Sequence, residues 1–130
     1  MSEKRNKPDI SNAEYDVLDV LWEGYPASAS EIISRLNERK AWHEKTVKTL
    51  LGRLVKKDVL SFEKQQRQYL YTPLIARQTY RESETETFVS RLFKGKVAPL
   101  VAGFANQKNL SKQDVDELKA LIAKWEKDND

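Results

Sequence analysis

Lys45, Thr46, Lys48, Thr49, Arg53 and Lys56 fall within twelve consecutive residues, and a helix drawn through them puts all six on one side. Thr46, Thr49 and Arg53 follow i, i+3, i+7 spacing and project together, with Lys45, Lys48 and Lys56 flanking them. A guanidinium can bond guanine O6 and N7 as a fork. A threonine can offer its methyl to thymine or its hydroxyl to a base edge, and lysines neutralise phosphates. This is the chemistry needed to read a DNA major groove. Gly52 shares the face, and acid is scarce on it.

A lysine-rich helix face is often no more than a solvated exterior. Placement favours the stronger reading. Residues 1–39 carry five Lys/Arg against eight Asp/Glu, residues 40–73 eight against three, and residues 74–130 ten against nine. The net charge of +3 is therefore concentrated in one middle stretch, as a polyanion footprint requires.

The elements that must carry these residues follow from local signals. Ser11-Asn12-Ala13-Glu14 has the spacing of a capping box, and Val17, Leu18, Leu21 and Trp22 then recur on one helical face until Gly24 and Pro26. Ser28-Ala29-Ser30-Glu31 repeats the box before a short helix with Ile32, Ile33 and Leu36 on its apolar stripe and Ser34, Arg35 and Glu38 opposite. Val47, Leu50, Leu51, Leu54 and Val55 form the inner face of a third helix, whose start at His43 is poorly capped. The period then changes to two. Leu60 and Phe62 alternate with Ser61 and Glu63, and Tyr69-Leu70-Tyr71-Thr72 answers them across a polar, basic tip that contains Lys64 and Arg67. Three helices followed by a hairpin describe a winged helix-turn-helix, with Lys64 and Arg67 as wing contacts to phosphate or minor groove.

Beyond Pro73 the chain reads as helical. A long polar segment from Ile75 to Phe93 is anchored by Tyr80, Phe88, Leu92 and Phe93. Val97, Leu100, Val101 and Phe104 mark a second helix, and Ser111-Lys112-Gln113-Asp114 caps a third lined by Val115, Leu118, Ile122 and Trp125. Amphipathic helices with no sheet to cover them point to self-association. The expected fold is mainly α: a DNA-binding winged helix-turn-helix over residues 1–73 with a small β-hairpin wing, then a helical dimerisation domain over residues 74–130. Both ends, Met1 to Pro8 and Glu126 to Asp130, are expected to fray.

Other classes find little support. The absence of cysteine fits a reducing compartment and removes disulfides, thiolate metal sites and cysteine nucleophiles. His43 is the lone histidine, no phosphate loop, nucleophile elbow or HExxH motif is present, and Asp16, Asp19, Glu23, Asp114 and Glu117 read as exposed helix faces. No enzyme, cofactor or metal site is expected, and no apolar run is long enough for membrane insertion, so the expected location is the cytoplasm. The competing reading is a winged-helix module that docks protein or RNA through the same face.

Three runs of residues resemble the penicillinase repressor (BlaI/MecI/CopY) family: Ile10-Ser11-Asn12-Ala13-Glu14-Tyr15 with Leu21-Trp22, Ser28-Ala29-Ser30-Glu31-Ile32, and Lys45-Thr46-Val47-Lys48-Thr49-Leu50-Leu51-Gly52-Arg53-Leu54-Val55-Lys56-Lys57. The similarity continues through Phe88–Gly95, Leu100–Phe104, Leu110-Ser111 and Glu117-Leu118. The resemblance implies a homodimeric repressor on a near-palindromic operator of double-stranded DNA beside a resistance gene. It places base-facing roles on Lys45, Thr46, Thr49 and Arg53. It places dimer contacts on the helices after Pro73, where Phe88, Leu92, Phe93, Leu100, Val101, Phe104, Leu118, Ile122 and Trp125 are the apolar candidates. It further implies a sensor protease as partner in the family's penicillinase branch, which is cut between asparagine and phenylalanine. Here Gly103 precedes Phe104, and Gly103–Phe104 is the candidate bond. Cysteine-based metal sensing, the property of the copper-responsive branch, is excluded by composition. His43 stands where the family usually has serine, and Gly52 where it often has threonine.

Overall fold

A computed structural model describes residues 9–129; the expectations for Met1–Pro8 and Asp130 lie outside them. The chain divides into two compact units, one running to Ser83 and the other starting at Glu84.

In the first unit α1 (Asn12–Leu21), α2 (Ala29–Asn37) and α3 (Glu44–Lys56) precede β2 (Leu60–Gln65) and β3 (Gln68–Pro73). The two capping boxes are formed. Glu14 N–H donates to Ser11 Oγ at 3.1 Å while Ser11 N–H donates to the Glu14 carboxylate at 3.0 Å. Ser28 and Glu31 do the same at 3.2 and 2.8 Å. His43 also serves as a cap, its Nδ1 accepting from Lys45 N–H at 3.2 Å. That contact caps a start for which histidine is a weak choice by type.

The sheet has one strand more than the expected hairpin. Ala27–Ser28, labelled β1, pairs antiparallel with β3 through Ala27 opposite Tyr71 and Ser28 opposite Leu70, giving the order β1-β3-β2. Two residues carry no periodicity, so nothing in the sequence announces it. The wing tip is also tighter than expected: β2 runs through Lys64 and Gln65, and Gln66 and Arg67 alone form the turn, with Gln66 at φ 58° in the left-handed region.

Val17, Leu18, Leu21, Ile32, Leu36, Val47, Leu51 and Leu54 meet in a single core. Leu54 is fully buried, so truncating it to alanine is expected to cost about 2–5 kcal/mol. Polar ties close the unit around that core. Arg35, expected on the outer face of α2, is half-buried, and its Nη1 donates to the carbonyls of Val20 at 2.9 Å and Gly24 at 2.8 Å, satisfying the C-terminal end of α1. Asp19, expected to be exposed, accepts from Arg39 at 2.9 Å and from Arg77 at 3.2 Å. Arg39 also pairs with Glu23.

α4 (Arg77–Phe93) begins on this same unit. Trp22 Nε1 donates to Ile75 O at 2.9 Å, and Tyr80 is buried with its ring 5.7 Å from that of Tyr15 and 6.1 Å from that of Trp22. These contacts explain why the unit runs past Pro73, the end expected from the wing, to Ser83. In the second unit α5 (Val97–Asn106) and α6 (Lys112–Asp128) contain no buried residue. Lys94 and Gly95, at φ 53° and 82°, end α4 in a left-handed turn that suits glycine. Ser111 caps α6, its Oγ accepting from Asp114 N–H at 3.0 Å. α6 continues to Asp128, further than the fraying expected from Glu126 onward.

Glu14 does more than cap. It is 2% exposed and accepts from Lys57 Nζ at 2.7 Å. Burial alone would push its carboxyl up, but the Lys57 ammonium and the Ser11 N–H hold it below its ordinary value of 4.5. Because the folded-state value is the lower one, the stability it contributes is present above about pH 4.5 and lost as the pH falls through the folded value. Lys57→Met leaves a buried carboxylate without its cation and is expected to cost about 1–3 kcal/mol at neutral pH. Urea unfolding measures it, and the difference from the native chain should shrink below pH 4.5.

Candidate nucleic-acid interface

α3 is amphipathic in a way that sorts its residues by role. Val47, Leu50, Leu51 and Leu54 are buried, whereas Lys45, Thr46, Lys48, Thr49, Gly52, Arg53 and Lys56 are all exposed. The expected face is thus assembled on one helix and open to solvent. Nothing lies within 4 Å of a Cβ placed on Gly52, so the strip is unobstructed there.

Two of these side chains differ from the sequence reading. The Thr49 hydroxyl donates to Lys45 O at 3.0 Å, so its hydrogen is committed to the helix and it presents a methyl and an accepting lone pair outward. Lys48 Nζ lies 2.9 Å from the Glu44 carboxylate one turn earlier. Glu44 was not singled out from the sequence, and it is an acid on the otherwise cationic strip. Among the described residues no carboxylate pairs with Lys45, Arg53, Lys56, Lys64 or Arg67.

The wing stands beside this face. Lys64 and Arg67 are exposed, Lys64 in β2 opposite Tyr69 and Arg67 in the turn. On the same side of the hairpin Phe62 packs on Tyr69 at 4.8 Å and on Tyr71 at 6.1 Å between ring centres. A cleft of about 510 Å³ opens between the start of α2, α3 and the wing, lined by Ser28, Ser30, Glu44, Lys48, Arg67 and Tyr69. The tyrosines and Ser30 were read from sequence only as strand and cap residues. Burial raises the Tyr71 hydroxyl above its ordinary value of 10.0, so it remains protonated and able to donate at neutral pH.

The remaining candidates lie in the second unit. Phe88, Leu92, Phe104, Ile122 and Trp125 are exposed, while Phe93, Leu100, Val101 and Leu118 are half-buried. Leu121, absent from the sequence candidates, is 63% exposed. A groove of about 410 Å³ runs between α5 and α6 along Leu100, Val101, Phe104, Leu118 and Leu121. Gly103 and Phe104 are both inside α5. No group of His, Cys, Asp and Glu suited to a metal ion occurs among the described residues, and no helix among them is long and apolar enough to cross a membrane.

The geometry agrees with comparisons to known proteins. A family profile described as penicillinase repressor matches residues 10–124. The chain is 33% identical over 115 residues to the penicillinase repressor of Bacillus licheniformis, covering 88% of this chain and 90% of that protein. It is 30% identical over 116 residues to the methicillin resistance regulatory protein MecI of Staphylococcus aureus strain N315, covering 89% and 94%. Among solved structures, the DNA-binding domain of the repressor BlaI aligns with a TM-score of 0.52 at 38% identity, covering 57% of this chain and 90% of that one. The monomeric form of Bacillus licheniformis BlaI in complex with the blaP half-operator aligns at 0.50 and 38%, with the same coverage. The chain, a winged helix-turn-helix followed by further helices, therefore belongs to the penicillinase repressor family of DNA-binding transcriptional regulators.

Proposed function

We propose that this protein is a cytoplasmic transcriptional repressor that binds a near-palindromic operator as a homodimer and controls a resistance-type gene. The observation that carries the reading is the exposed strip of α3. Its apolar half is consumed by the core, and its outward half holds threonines and cations at the spacing a base-reading helix needs. The solved complex of BlaI with a half-operator, at 38% identity, supports duplex DNA as the ligand. In this reading Lys45, Thr46, Thr49 and Arg53 meet base edges, Lys48 and Lys56 meet the backbone, and Lys64 and Arg67 meet phosphate or minor groove.

The dimer rests on apolar area left uncovered. α5 and α6 bury no residue within one chain, and Leu121, Ile122 and Trp125 are 63%, 57% and 64% exposed. A second copy would cover them, as large apolar patches require. A sensor protease completes the proposal. Its candidate bond, Gly103–Phe104, is helical, so cleavage has to follow local opening of α5, which a glycine favours by about 1 kcal/mol relative to alanine.

Footprinting upstream of the protein's own gene, followed by a salt titration on the protected duplex, tests the reading. Steep loss of affinity with salt and two chains per site are expected. A shallow salt dependence, or equal affinity for a protein or RNA partner, would sink it in favour of the docking-module alternative. Arg53→Ala is expected to cost about 1–3 kcal/mol on that duplex and to relax preference at one base pair per half-site, whereas Lys56→Ala should weaken all sequences alike. Ile122→Asp is expected to lower the mass in sedimentation equilibrium from twice 15.1 kDa to 15.1 kDa.

A further inference from the structure

Among the described residues Lys48 is the cation of the α3 strip that carries a carboxylate on it. Glu44 occupies the first position of the helix, where a negative charge is favoured by the exposed N–H groups, and Lys48 follows at i+4. Both side chains are more than half exposed, so packing does not force the pair together. The Lys48 ammonium holds the Glu44 carboxyl below its ordinary range, and Glu44 holds the ammonium above its own. Both residues line the cleft between the wing and the start of α2, as do Arg67 and Tyr69.

A duplex backbone entering that cleft meets two cations and one fixed anion. The anion satisfies Lys48 before any phosphate arrives and repels the phosphate itself. We propose that Glu44 is an affinity-setting residue of the DNA face, an internal counter-ion that masks Lys48 and so holds down the sequence-independent part of duplex binding. Non-specific complexes depend wholly on phosphate neutralisation, so a regulator that must ignore most of a genome benefits from the mask. The inference rests on the DNA-binding reading given above and deepens it. It also assigns a role to a residue that composition and periodicity passed over, because its meaning lies in what sits one turn later.

The test is a double-mutant cycle in the full-length chain, using Glu44→Gln, Lys48→Ala and the pair combined, on a duplex of scrambled sequence and on the footprinted duplex. A unit charge removed about 6 Å from a phosphate in water changes affinity by roughly threefold. Glu44→Gln should therefore tighten both duplexes by about threefold per bound subunit and steepen the salt dependence by about one counter-ion per subunit. Loss of affinity on Lys48→Ala should be larger in the Glu44→Gln background than in the native one, the mark of a masked cation. Glu44→Lys should move both duplexes further in the same direction, which a mere change in helix stability would not do.

Additive effects, or weaker binding of both duplexes by Glu44→Gln, overturn the inference while leaving the DNA reading intact. A change confined to one base pair of the footprinted duplex also overturns it, marking Glu44 as an acceptor for a cytosine amino group instead. Failure of the native chain to hold either duplex removes the DNA reading and this inference together.

Discussion

The two-sidedness of α3 governs the rest of the molecule. At 3.6 residues per turn, Val47, Leu50, Leu51 and Leu54 are drawn onto one flank by the core, and the alternate flank is left with nothing that the fold can use. Rotating the helix by even a quarter turn would drive Thr46 or Arg53 toward Leu18 and Leu21 and expose leucine to water. Hydrophobic burial thereby fixes the direction in which the base-facing side chains point. The packing that stabilises the unit and the presentation of the reading face are one constraint.

Electrostatics sorts the cations into two groups. Arg35 closes the end of α1, Arg39 and Arg77 tie onto Asp19, and Lys57 neutralises the buried Glu14. Each of these is held by atoms of the fold. Lys45, Arg53, Lys56, Lys64 and Arg67 have no such carboxylate partner among the described residues, and they cluster on α3 and the wing. Net charge alone would not separate these groups. Glu44 and Lys48 stand between them: a surface pair weak enough to be exchanged for a phosphate, yet close enough to alter the field at the strip.

What could be read in the sequence was local. Ser11, Ser28 and Ser111 announce their helices because a capping box is closed within four residues, and the change from period 3.6 to period 2 after Lys57 announces the wing. The strip of α3 was legible for the same reason, since its faces repeat within a single helix. Partnerships across the chain were not. The Glu14–Lys57 pair, the Arg35 cap and the contact of Arg77 with Asp19 join residues brought together only by folding, and β1 is too short to leave a periodic trace. Tyr80 reads as one sparse anchor of a polar helix, but it stacks on Tyr15 and packs at a tilt against Trp22, which carries the first unit past the proline that closes the wing.

Chemical-shift mapping of the isotopically labelled chain against the footprinted duplex addresses the reading face most directly. The largest amide and side-chain changes are expected at Thr46, Thr49 and Arg53 and at the Arg67 turn, with Val47, Leu51 and Leu54 responding only through their neighbours. Changes centred on α5 and α6, with α3 silent, would contradict the account.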